Sequence, residues 1–238
     1  MILNQRIEAW LAAQRPVAES AKRPFVTLSY AQGWDGSITT RAGESLGLSG
    51  AESLRLTHQL RSLHDGILVG IGTVLTDDPQ LTVREWPGAN PQPIVLDSRL
   101  RMPPTARLCQ RADKTCWVLT RLKATGGFDG KADIITLEAD AEGRVNLREA
   151  LSLLWQKGIR TLMVEGGSHV ITAFLKAQLA DALVLTIAPT LVGGYKGVGN
   201  LEIGCKSRLP QIRPLYSQML GDDLIMWGNL RYLEQTDW

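Results

Sequence analysis

The chain has 238 residues, 44% hydrophobic and 21% charged, with a formal net charge of +2, a balance that suits one well-buried globular domain. No run approaches the roughly 18 apolar residues of a membrane span, and scattered basic residues leave no footprint for nucleic acid. The 3 cysteines, Cys109, Cys116 and Cys205, are too widely spaced for a disulfide framework or a CxxC metal site, and read as reduced packing residues. Gln5, Arg6 and Glu8 interrupt the apolar N-terminus, unlike a signal peptide, so a cytoplasmic setting is expected.

Ile2, Leu3, Ile7, Trp10 and Leu11 recur at helical spacing, and a polar stretch from Pro16 leads to Pro24. Residues 1–23 therefore read as an appended helix and linker before a domain spanning 24–238. Phe25–Tyr30 reads as the first strand, with a QGWDGS turn after it and a short strand at Ile38–Arg41. Ser49–Leu63 reads as a helix whose Ser49 and Glu52 form a capping box. Gly66–Val69 is a buried strand, and Gly70-Ile71-Gly72 a turn. Pro93–Leu96 and Thr115–Thr120 are further strands. Leu147–Lys157 is a helix stopped by Gly158, Thr161–Val164 a strand, the run from Ser168 a helix, and Leu183–Ile187 a strand. Alternating strands and helices imply a parallel sheet. Leu224–Trp227 and Asn229–Leu233 lack an intervening helix, which implies an antiparallel edge.

Chemistry concentrates after the strands, where open α/β sheets hold ligands. In TVLTDDPQLTVR, Thr73 to Arg84, paired carboxylates and a guanidinium follow the Gly66–Val69 strand. Asp78-Pro79 has the composition of a turn, so Asp77 is favoured for function. In VEGGSHVITAF, Val164 to Phe174, a strand ends, Gly166 and Gly167 permit close approach, and a helix opens. Its free N–H groups and dipole suit an anion such as a cofactor pyrophosphate. A tight turn needing glycine explains the same residues locally, but Glu165 beside the turn favours the anion site. Gly70-Ile71-Gly72 lacks the third glycine of a dinucleotide fingerprint. Ser98 with Arg99, and Thr120 with Arg121, follow strands where an adenosine 2′-phosphate could be held, selecting NADPH. His58, His64 and His169 have no metal-ligand spacing, so no metal is implied. For Tyr30 and Trp34, core packing is the simpler reading than stacking on a cofactor ring.

YAQGWDG (Tyr30–Gly36), AGES (Ala42–Ser45), Leu60-Arg61, TVLTDDPQLTVR and VEGG (Val164–Gly167) stand in an order and spacing that resembles the reductase domain of the riboflavin-pathway deaminase-reductase family. The resemblance covers about Pro24 to Leu233. It implies a dihydrofolate-reductase-like α/β fold, a mainly parallel twisted sheet flanked by helices with an antiparallel C-terminal edge, paired as a homodimer. It implies NADPH-dependent reduction of 5-amino-6-(5-phosphoribosylamino)uracil, with hydride delivered to C1 of the opened, imine-like ribose. By the same resemblance, Ser45, Arg61, Leu81, Arg84 and Glu165 contact substrate. Ala31, Thr73, Asp77, Ser98 and the run Gly167, Ser168, His169, Val170, Ile171, Thr172 and Ala173 contact cofactor. Asp77 and Glu165 are the catalytic candidates, with Asp77 or water as proton donor. Arg61 and Arg84 would otherwise read as solvated arginines; their motif positions favour phosphate or other polar substrate groups.

The chain departs from the family pattern at Ser29, where many members carry lysine, and at Gly47, where tryptophan is frequent. It lacks the HxE and PCxxC signature of the deaminase half, so zinc-dependent deamination is not expected and the chain reads as a stand-alone reductase. Four alternatives stay open: the 2,5-diaminopyrimidinone as substrate, a pterin or folate, a different dehydrogenase with pyrophosphate at Gly70–Gly72, and a non-catalytic nucleotide-binding module.

Overall fold

A computed structural model describes residues 2–123, 128 and 130–232. The helices are α1 (Leu3–Ala12), α2 (Arg15–Ala21), α3 (Ala51–Ser62), α4 (Ile71–Asp77), α5 (Leu147–Gln156) and α6 (Ser168–Lys176). The strands are β1 (Phe25–Gly33), β2 (Ser37–Thr39), β3 (Gly66–Gly70), β4 (Gln92–Leu96), β5 (Cys116–Thr120), β6 (Ala132–Thr136), β7 (Thr161–Val164), β8 (Ala182–Ala188), β9 (Tyr195–Lys196), β10 (Gln211–Leu220) and β11 (Asp223–Arg231).

A 9-stranded sheet runs β10-β11-β8-β1-β7-β3-β4-β5-β6, and β2 pairs with β9 apart from it. From β8 to β6 every pairing is parallel. β11 is antiparallel to β8, and β10 to β11. The expected parallel sheet with an antiparallel C-terminal edge is therefore present. Because their pairings are parallel, β1, β7, β3, β4 and β5 end along one side of the sheet, and the functional motifs follow those ends.

Alternation along the strands builds a core on each face. Phe25, Ile67, Val69 and Met163 pack with Ile7 and Leu11 of α1 and with Leu56 and Leu60 of α3. Their neighbours Val26, Leu28, Leu68 and Val164 pack instead with Leu151 and Leu154 of α5 and with Ile171 and Phe174 of α6.

Several local expectations are corrected. The segment read as a linker is helix α2, because Pro16 lies in its first turn, where a missing N–H is harmless, instead of ending α1. Ser49 does not cap α3. Gly50 occupies the N-cap without a side-chain bond, and its N–H donates to Asp223 Oδ2 at 2.8 Å. Gly70-Ile71-Gly72 opens helix α4, with Gly70 as N-cap and Val74 buried. The C-terminal strands expected at Leu224–Trp227 and Asn229–Leu233 are one strand, β11, and Leu233 lies outside the described residues. Its partner β10 was not anticipated, because Pro214 interrupts its pattern. Pro214 sits on the edge strand, where the register shifts between Ile212 and Leu215, a place that tolerates a missing donor. Cys109 and Cys116 are buried as expected, but Cys205 is exposed. Trp34 is 58% exposed and packs in no core.

Candidate active site

Three parallel strands deliver the chemistry. β3 feeds α4, which carries Thr73 and Asp77; β7 feeds Glu165, Gly166 and α6; β1 brings Ala31 near its end. The Glu165 N–H donates to Leu68 O at 3.0 Å, extending the β7–β3 ladder by one residue and fixing the carboxylate beyond the strand.

Arg61, on the last turn of α3, meets that carboxylate in a paired fork. Its Nε donates to Glu165 Oε2 at 2.9 Å and its Nη2 to Oε1 at 2.5 Å, while Nη1 donates to Thr82 O at 3.0 Å. Burial opposes the Arg61 charge, and the Glu165 carboxylate outweighs it, so the guanidinium pKa lies above its ordinary value. Arg61 thus holds Glu165 and Thr82, and the Glu165 side chain keeps 25% exposure for a ligand.

The α6 N-terminus presents uncapped donors. Gly167 is its N-cap in extended backbone, and no side chain caps it. Among the described residues, the N–H groups of Ser168 and His169 have no backbone acceptor. Such orphan donors, aligned with the helix dipole, fit the pyrophosphate of a nicotinamide dinucleotide. A Cβ built on Gly167 would find only Thr73 Oγ1, at 3.9 Å, so the fold leaves space above it and brings Thr73 to its border. Asp77 follows Thr73 by one helical turn on the same face of α4 and is exposed. Asp78, in the left-handed region at φ 40, accepts from Arg107 N at 2.9 Å and serves the turn. Gly70 and Gly166 have a different job. A Cβ on Gly70 would lie 2.6 Å from Val170 Cγ2, and one on Gly166 3.0 Å from Val170 Cβ. Val170 therefore fills the space at Gly70, which does not favour a pyrophosphate there.

The remaining expected residues divide by what they expose. Ile171 is wholly buried, so its side chain serves the core. Leu81 is also buried at 1%, with φ 53, and can offer only backbone to a ligand. Arg84 is exposed, its Nη1 donating to Thr82 Oγ1 at 2.7 Å. Ser98 lies beyond β4, its hydroxyl accepting from Val145 N at 3.1 Å. Thr172 Oγ1 accepts from Gly199 N at 2.8 Å, and His169 Nε2 lies 3.4 Å from Tyr195 OH. Ala173 is half-buried. Ser45 stands on the exposed 40–47 segment and has no hydrogen bond to the Arg61–Glu165 pair.

Residues 24–226 match the RibD C-terminal domain family. The chain belongs to that family. It is similar to the 2,5-diamino-6-ribosylamino-4(3H)-pyrimidinone 5′-phosphate reductase of Methanothermobacter thermautotrophicus, 37% identical over 216 residues, covering 86% of this chain and 97% of that relative. The riboflavin biosynthesis protein RibD of Aquifex aeolicus is 33% identical over 210 residues, 87% of this chain, and the chain spans 58% of that relative. Among solved structures, Saccharomyces riboflavin biosynthesis reductase Rib7 superposes with a TM-score of 0.72 at 27% identity, covering 88% of this chain and 91% of that one. Acinetobacter baumannii RibD gives 0.80 at 24% identity over 90% of this chain and 60% of that one, a likeness of fold.

The departures from the family pattern now have places. Ser29 is buried on β1 at 6% exposure, and Gly47 lies on the exposed loop with nothing within 4 Å of a Cβ. Sequence reasoning missed the Gly193–Gly199 loop, which reaches α6 through Tyr195 and Gly199. Its crowding of glycines after a strand was the available signal. Asp35 anchors this loop, accepting from Val192 N at 3.1 Å, Gly193 N at 3.0 Å and Lys196 Nζ at 2.9 Å. The Ser37 hydroxyl and Lys196 hold its carboxyl well below the usual carboxylate range. Two cavities, of about 290 and 270 Å³, lie beside residues 198–212 and the C-terminal end of α6, the second also lined by Leu28 and Tyr30 of β1. Among the described residues no group of His, Cys, Asp and Glu is placed to hold a metal ion.

Proposed function

We propose that this chain reduces 5-amino-6-(5-phosphoribosylamino)uracil to its ribitylamino phosphate, using NADPH, as a step of riboflavin biosynthesis. Residues 24–238 form the reductase unit and 1–23 the segment before it. The observation that carries the reading is the juxtaposition of the uncapped α6 N-terminus with the Arg61–Glu165 fork, an anion cradle beside an oriented carboxylate. NADPH supplies the hydride. The Ser168 and His169 N–H groups, with Thr73 at the border, hold its phosphates. Ser98 and Arg99 favour the 2′-phosphorylated dinucleotide. Glu165, fixed by Arg61, accepts from donors of the pyrimidine or sugar, and Arg84 meets the phosphate or another polar group. Holding both reactants in register contributes most of the rate. Asp77, on the Thr73 face of α4, is placed for proton delivery or for contact with the nicotinamide end.

A second reading concerns the substrate. The Methanothermobacter relative is matched over 97% of its length and is named for the 2,5-diaminopyrimidinone, which favours a substrate not yet deaminated. Loss of nicotinamide absorbance with each substrate decides between them, and NADH in place of NADPH tests the cofactor. Failure of both substrates, with either dinucleotide, would overturn the proposal. The enzyme is further proposed to work as a cytoplasmic homodimer; among the described residues no helix is long and apolar enough to cross a membrane.

A further inference from the structure

We propose that His58 is a positioning residue for substrate binding, holding the segment that carries Arg84. The inference rests on the reading of Arg84 as a substrate contact. Residues Thr82–Arg84 have no regular secondary structure, yet their main chain is bound by side chains at each residue. Arg61 Nη1 donates to Thr82 O at 3.0 Å, Asn90 Oδ1 accepts from Val83 N at 2.7 Å, and His58 Nδ1 accepts from Arg84 N at 3.0 Å. The preceding Leu81 is buried with φ 53, a strained conformation that persists only where its surroundings impose it.

The grip comes from one face of α3. Arg55, His58 and Arg61 stand at i, i+3 and i+6, and all turn toward the loop. The Arg55 guanidinium lies 5.3 Å from the centre of the Trp86 ring, two residues beyond Arg84. Asn90 is fixed from outside, its Nδ2 donating to Asp113 Oδ2 at 2.8 Å, and Asp113 is paired with Arg111.

The His58 bond sets a protonation requirement. Nδ1 accepts only in the neutral ring with the proton on Nε2, and the residue is 1% exposed. Protonation places an N–H against the Arg84 N–H and releases the segment. Burial, Arg61 and Arg84 oppose that protonation, while Glu165 and Glu85 favour it, and the balance puts the imidazole pKa below its usual 6.5. Substrate affinity therefore holds at neutral pH and falls as His58 takes up its proton.

The test measures steady-state kinetics with 5-amino-6-(5-phosphoribosylamino)uracil and NADPH on the full chain. His58→Leu should raise substrate KM about tenfold, the scale of one anchoring hydrogen bond, with kcat and the NADPH KM unchanged. His58→Gln supplies a neutral acceptor, so it should restore KM and remove the acid-side rise that wild type shows. Comparing the two at each pH cancels titration of the substrate phosphate. Should His58→Leu fail to fold, the pH profile of His58→Gln and the KM of Asn90→Ala, also expected to rise, carry the test. A folded His58→Leu with wild-type KM, or a Gln variant that keeps the full acid-side rise, overturns the inference. Arg84→Ala separates the premises. An unchanged KM there removes Arg84 from the substrate site; a raised KM there, with His58→Leu unaffected, overturns the positioning role alone.

Discussion

Glu165 and Gly167 show how two neighbouring residues can be placed for different reasons. Glu165 is held by the fork from Arg61, so replacing it touches both function and folding. On the proposed reading, in which its charge orients the substrate, Glu165→Gln should lower turnover by a hundredfold or so. It should also cost about 2 kcal/mol, since the largely buried Arg61 loses its counter-ion while part of the site still reaches water. Asp77→Asn isolates the functional effect, because Asp77 is exposed. It should reduce turnover at unchanged melting temperature, and full activity in both variants would show that neither carboxylate works in the site. Among the glycines, Gly167→Ala meets no atom closer than 3.9 Å, whereas Gly70→Ala meets Val170 at 2.6 Å. The first should fold normally and weaken dinucleotide binding; the second should lower the melting temperature. Calorimetric titration and thermal melts on the pair check this, and equal dinucleotide affinity in Gly167→Ala and wild type would move the pyrophosphate elsewhere.

At the level of elements, what the sequence made legible follows which signals tertiary context leaves alone. α5 and α6 show a clean apolar stripe, and Asn146 caps α5 by accepting from Arg148 N and Glu149 N, so both were readable. α4 was not. It has only seven residues, and Gly70 and Gly72 look like a turn until burial of Ile71 and Val74 tips the balance. β6 carries a half-exposed pattern at the sheet margin, where alternation is weak. α1 was recognised as a helix, but its contribution to the core was not visible, because nothing local reveals which sheet face a helix covers. Leu3, Ile7 and Leu11 bury against the same cluster as Phe25 and Trp227. Ile7, at 0% exposure, should therefore behave as a core residue. Ile7→Ala is expected to cost about 3 kcal/mol, or roughly 6–12 °C in melting temperature for a domain of this size. A shift below about 1 °C would mean that α1 is only loosely docked.

For the molecule as a whole, the strand ends that carry the candidate site were legible and the contacts among its residues were not. Strand ends and glycines announce where parallel sheets bind ligands, but no pattern announces that Arg61 turns to Glu165 or that His58 faces Arg84, since those pairs join distant parts of the chain. The same long-range contacts set the pH dependence of folding. His64 is fully enclosed, its Nδ1 donating to Leu60 O at 2.7 Å and its Nε2 accepting from Thr27 Oγ1 at 2.9 Å. Burial holds its pKa below 6.5, as burial and neighbouring arginines do for His58. Hydrogen bonds from Arg111 likewise hold Asp113 well below 3.8, and those from Ser37 and Lys196 do so for Asp35. In each case the unfolded chain binds protons that the folded chain refuses, so stability rises with pH across the interval between the two pKa values. The histidine contribution is complete above about pH 6.5 and drains away below it; the aspartate contribution is complete above about pH 4 and is lost in stronger acid. The melting temperature should accordingly fall in two stages as pH drops from about 7. His64→Gln should flatten the first stage while lowering the neutral-pH value. A melting temperature that stays level between about pH 7 and about pH 5 in the wild-type chain would show that these histidines are not held neutral by the fold.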